Sequence, residues 1–149
     1  MRPATESEHT PGTHWSAKDH LAHLAGIEYR FIEMIRRHID GDANPLGWKK
    51  AEGGYLTRDE IMARVHELTE AWAVKHRSLS MSEVVALGQQ ARAATLTLLG
   101  ELTDEQLGEK LPGAPWADGT LGGVLGVNAD HAGMHWAWLT EGLAAAAGK

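Results

Sequence analysis

Four short tetrads constrain this chain more than any other feature: Ser16-Ala-Lys-Asp19, Thr57-Arg-Asp-Glu60, Ser80-Met-Ser-Glu83 and Thr103-Asp-Glu-Gln106. The first two are capping boxes. In such a box the hydroxyl accepts a hydrogen bond from a free backbone N–H of the first helical turn, and the acid three residues on reaches back to the N-cap. The third tetrad opens another helix, and the fourth a single short turn. Alanine and glycine are abundant and β-branched runs are few, so nothing in the chain competes with helix.

The first helix reads from Ser16 to about Ile39, where Asp40-Gly41 stops it. Trp15 stands ready to staple back onto its first turn. Its apolar stripe is Leu21, Leu24, Ala25, Ile32, Ile35 and Ile39, flanked by Ile27, Phe31 and Met34, and Lys18, Asp19, Glu33, Arg36 and Arg37 mark the wet face. His20 falls inside the apolar arc and His23 at its border, so helical position slightly favours His20 as the buried one. Glu28 sits in the centre of the stripe, and a buried carboxylate requires a cation, a metal or a proton.

Residues 41–56 read as a loop anchored by Trp48, placed to cover the mouth of a site. Ile61, Val65, Leu68 and Trp72 give the next helix an amphipathic face as far as Arg77, with His66 and His76 off it and at the surface. The helix after Ser80 carries Val84, Leu87, Ala91, Ala94, Leu98 and Leu99 and ends near Gly100. A last helix runs from Thr120 to about Leu143. Gly122, Gly123, Gly126 and Gly133 lie within it, each costing about 1 kcal/mol relative to alanine. Such a sequence makes sense if a neighbouring helix or a ligand approaches that backbone closely.

The organisation is therefore a flexible lead-in over 1–14, where His9 and His14 are solvated, a helical domain over 15–143, and a fraying tail over 144–149. The fold class is all-α, an up-down helical bundle with long crossover loops.

The chemistry gathers near the C-terminus, in Asn128-Ala-Asp-His131-Ala-Gly-Met-His135-Trp-Ala-Trp138. Histidines four apart stand one above the other on a helix, here on the side of Val124, Val127, Trp138 and Leu139, while Asp130 points away. Such a pair can chelate one divalent ion; the alternative is two core histidines bonded to backbone carbonyls. A zincin is excluded, because Ala132 stands where its general-base glutamate would be. The chain has no cysteine, which removes thiolate metal sites and a cysteine nucleophile. A net charge of −6 with both signs interspersed argues against nucleic acid or an anionic membrane as partner. No apolar run approaches the roughly 20 residues of a membrane helix, and a cytoplasmic protein is expected.

Trp15-Ser-Ala-Lys-Asp-His-Leu-Ala-His23-Leu-Ala-Gly-Ile-Glu28 resembles the signature helix of the DinB-like superfamily, W-S-x-K-D-x-L-x-H-L-A-x-x-E. Asn128-x-x-His131-x-x-x-His135-x-x-Trp138 is similar to its closing helix. Between them, the stretches from Glu60 to Val65 and from Arg77 to Val84 are similar to the branch of colibactin-resistance-type proteins. Related branches include mycothiol-dependent maleylpyruvate isomerases. The resemblance implies that His23, not His20, joins His131 and His135 as three imidazole ligands of a divalent metal, zinc or nickel, with open positions for water or a thiol. It implies a thiol transferase or hydrolase acting on small electrophiles, with Glu28 or Asn128 orienting a ligand. The thiol would come from a cofactor such as mycothiol or bacillithiol. For Asn128 a helix-to-helix hydrogen bond competes, and Trp136 and Trp138 read as core or interface fillers. A non-catalytic, small-molecule-binding or stress-linked bundle with a vestigial metal site is the competing class.

Only 14 residues precede Trp15, where the superfamily carries a full first helix. The expectation is a short or missing first helix and an exposed groove. Either a second copy, making a homodimer, or the Thr57–Arg77 helix would cover that groove.

Overall fold

The computed structural model describes residues 15–147, with side chains left aside at 138, 139 and beyond 140. The lead-in expected over 1–14, with His9 and His14, lies outside the described residues, as do the side chains of Trp138 and Leu139. Helices α1 (Ala17–Ile39), α2 (Arg58–His76), α3 (Met81–Glu101), α4 (Asp104–Leu107) and α5 (Leu121–Ala147) follow in order, and no strand occurs among the described residues. All four tetrads close as reciprocal caps, with Ser16, Thr57, Ser80 and Thr103 as N-caps. The closing helix extends through Ala147, past the expected end near Leu143.

α1 is the central element, and α2, α3 and α5 each pack against it. The contacting pairs set their directions. His20 meets His135 and His23 meets His131, so α5 runs antiparallel to α1. Glu28 meets Thr95 and Arg36 meets Glu101, so α3 runs parallel to it. Trp72 donates to the Ala22 carbonyl at 2.7 Å and Lys18 to that of Arg77, which makes α2 antiparallel. The path is up-down-up-down, as expected.

The C-terminal half of α1 carries the apolar core. Phe31, Ile32, Met34 and Ile35 pack with Leu98, Leu121, Val124 and Leu125. The 41–56 connection joins this core instead of covering a site. Leu46 and Trp48 are buried in it, and Trp48 lies 5.2 Å from Trp116. That burial lies at the end of the bundle away from the histidines.

Several expected faces turn. Asp19, assigned to the wet face, is buried: its carboxylate accepts from Ser16 N at 2.9 Å and lies 3.6 Å from Arg77. α2 docks through Trp72, whose indole occupies the space a side chain at Gly26 would need. That contact rotates Thr69 and Ala73 inward and leaves Leu68 exposed. His66 and His76 are half-buried rather than at the surface, and His76 Nδ1 donates to the Trp72 carbonyl. Ile39 and Leu99 end their stripes exposed. No helix among the described residues is long and apolar enough to cross a membrane.

The glycines of α5 divide into two pairs. A methyl at Gly122 would press on the Leu107 carbonyl at 3.2 Å, and one at Gly123 would run into Asp118 Oδ1. Nothing lies near Gly126 or Gly133, so close approach accounts only for the first pair. Gly126→Ala is therefore expected to stabilise the protein by about 1 kcal/mol in urea unfolding, the helix-propensity difference, while Gly123→Ala destabilises it. Equal effects at both positions would refute this account of the close approach at the start of α5.

Candidate metal centre

The antiparallel register of α1 and α5 sets residues three apart on one helix against residues four apart on the other. His23 Nε2 lies 3.3 Å from His131 Nε2, which lies 3.1 Å from His135 Nε2. The three rings offer ligand atoms all within 4.8 Å of one another, a group that could hold a metal ion. His23 and His135 are buried and His131 is half-buried.

The donor set fits a divalent ion. Tetrahedral zinc with nitrogen ligands at about 2.0–2.1 Å separates those nitrogens by roughly 3.3–3.4 Å. Each neutral ring brings one N–H and one lone pair, and with every N–H turned away from the cluster the three Nε2 lone pairs can be shared by one cation.

Trp15 closes the cluster from behind. Its ring centroid lies 4.8 Å from that of His23 and 5.4 Å from that of His20, and it stacks on His135 at 6.2 Å. The staple onto the first turn of α1 thus packs against imidazole. α2 holds this indole in place, since Trp15 Nε1 donates to Glu70 Oε2 at 3.3 Å.

On the other side, His131 lines a groove of about 310 Å³ between α3 and α5, floored by α1. Leu21, Leu24, Val84 and Val85 give it apolar walls, and Glu28, Arg92 and Asn128 give it a polar end. α2 contributes none of its lining, and Trp72 commits that helix to the Ala22–Gly26 side of α1. Of the three solutions open to the Glu28 carboxylate, the structure uses a cation: Oε1 accepts from Arg92 Nε and from Thr95 Oγ1, both at 2.7 Å. Among the described residues Asn128 makes no helix-to-helix hydrogen bond, and its buried Nδ2 has no partner.

The family model of the DinB superfamily matches residues 2–139. The chain belongs to the DinB superfamily. No curated protein and no solved structure shows a significant match.

Within this DinB-superfamily chain, His20 is as buried as His23, and its Nδ1 lies 2.7 Å from Nδ1 of His135. Helical position placed His20 in the core, and the family pattern drew attention to His23; both are there. The contact between His20 and the rear of His135 has no signature in the chain, because it depends on the separation of two helices. The same is true of Arg92 and Thr95, which read from sequence as residues of α3 with no stated role. Trp136, expected as a core or interface filler, is exposed and takes no part in the core of this chain.

Burial, and then the nearby His131 and His20, push the pKa of His23 down from 6.5 to about 3, and burial lowers that of His20. In the unfolded chain His23 titrates near 6.5. Between those values the unfolded state holds a proton that the native state lacks, so native stability falls as pH is lowered and is unaffected above 6.5. The metal-free protein should lose stability below pH 6.5, by at most about 1.4 kcal/mol per pH unit from His23 alone, and His23→Asn should flatten that slope. Thermal unfolding from pH 7.5 to 4 reads it; an unchanged midpoint across that range would contradict a buried, neutral His23.

Proposed function

We propose that this DinB-superfamily protein is a metal-dependent enzyme in which His23, His131 and His135 hold zinc or nickel, and that it acts on small electrophilic molecules by thiol transfer or hydrolysis. One observation carries the reading: three imidazole nitrogens converge beside a groove large enough for a small molecule. When bound, the ion supplies Lewis acidity toward a water or thiol in its open coordination positions.

The chain's own residues bind, orient and exclude. Leu21, Leu24, Val84 and Val85 hold an apolar substrate body, and Trp15 keeps water from the rear of the cluster. Arg92, pinned through Nε by Glu28, and the carboxamide of Asn128 remain to orient a polar substituent. The chain has no cysteine, so a sulfur nucleophile must enter as a low-molecular-weight thiol of the mycothiol or bacillithiol kind. Dependence on such a thiol fits a cytoplasmic location.

A second copy of the chain is the proposed partner. Met81, Leu96 and Leu99 lie on one side of α3 and are exposed, Leu96 at 60%, apolar surface that association would bury.

Metal analysis of the purified protein should find one divalent ion per chain, and His131→Ala should lose both the ion and turnover on a panel of activated alkenes and strained rings offered with thiols. Activity that survives complete metal removal would overturn the reading. Light scattering at micromolar concentration should give twice the chain mass; a folded monomer would reject the dimer.

A further inference from the structure

We infer that His20 is the positioning residue of this centre: its Nδ1 accepts a hydrogen bond from His135 Nδ1–H, and metal uptake requires that one arrangement of the pair. The inference rests on the metal reading above and concerns a residue at an unspecified position of the signature pattern.

His20 Nδ1 and His135 Nδ1 are 2.7 Å apart and buried. At that distance the two nitrogens share one proton, since two N–H groups would collide and two lone pairs would repel. Two neutral arrangements are available. In the first, His20 Nδ1–H donates to His135. His135 then carries its own proton on Nε2, directed at His131 Nε2 3.1 Å away, and has no lone pair for a metal. In the second, His135 Nδ1–H donates to His20. Nε2 of His135 is then a lone pair beside those of His23 and His131, and His20 carries its proton on Nε2.

Only the second arrangement can bind an ion through all three Nε2 atoms. Passing from the first to the second moves one proton across the Nδ1–Nδ1 contact, releases one from His135 Nε2 and takes one up at His20 Nε2. The pair holds two protons before and after, so this exchange adds no net proton release to metal binding. His20 Nε2 is buried with no partner. An unpaired polar atom there is costly, a cost that an apolar residue at position 20 would avoid. That penalty is unexplained by packing and is accounted for by a task at Nδ1. The edge of Trp15, 5.4 Å away, holds the plane of the ring.

Ligating histidines normally place the rear N–H on a carboxylate, carbonyl or water, all able to accept in any state. A histidine in that place can also refuse, by holding its own proton on Nδ1.

The test is zinc affinity of the full chain by chelator competition, for wild type, His20→Asn and His20→Phe, with ring tautomers read from long-range ¹H–¹⁵N spectra of the zinc-loaded wild type. Asparagine offers Oδ1 as an acceptor near the position of Nδ1 and should retain wild-type affinity. Phenylalanine should weaken zinc binding about 10–100-fold, the usual cost of losing such a partner. The spectrum should show His135 protonated at Nδ1 and His20 at Nε2. A folded His20→Phe with wild-type affinity, a His20→Asn as weak as His20→Phe, His20 protonated at Nδ1, or His20 itself ligating zinc would each overturn the inference while leaving the metal reading intact. Should His20→Phe not fold, the spectrum and His20→Asn decide. A wild type that binds neither zinc nor nickel overturns both.

Discussion

The register between α1 and α5 is the constraint on which the rest depends. The nitrogens of His23, His131 and His135 lie 3.1–3.3 Å apart where neighbours face each other. A slip of one residue would swing a ring by about 100° around its helix and carry it out of reach. The far end of the bundle holds this register. Ile35, Leu98, Leu121 and Val124 are almost wholly buried there, and interiors packed to that density do not slide by fractions of a residue. Leu46 and Trp48 of the 41–56 connection add to that core. An apolar lever thus sets the geometry of polar groups about two to four turns away.

The bundle is divided along its length. One half is apolar and closed; the other buries Asp19, His20, His23, Glu28, Asn128 and His135. Buried polar groups are costly unless partnered, and these are partnered to different degrees. Asp19 caps its own helix and Glu28 takes Arg92 and Thr95. Asn128 Nδ2 and His20 Nε2 are left over. A chain selected for stability alone has no reason to keep such atoms, and consistency among levels breaks where function makes its demands.

α2 has a supporting part. Besides Ile61 and Val65, which pack against the apolar core, it attaches through Trp72 against Gly26 and through Glu70 reaching Trp15. Through that second contact a helix that supplies none of the clustered histidines still bears on them, because the indole it restrains is the wall behind them.

What the sequence determined by itself was local. Hydroxyl and acid three residues apart satisfy the first turn of a helix wherever they occur, so Ser16, Thr57, Ser80 and Thr103 marked the helix starts without tertiary help. The i,i+4 spacing put His131 and His135 on one face for the same reason, and the signature pattern pointed to His23 as their companion. What tertiary structure decided was every contact between helices. It turned Asp19 inward and Leu68 outward, since docking through Trp72 fixed how α2 meets α1. It gave Glu28 its arginine, set His20 behind His135, and sent the 41–56 loop to the apolar end. Periodicity records which side of a helix is apolar; it carries no record of which neighbour lies there, at what distance, or with which atom facing.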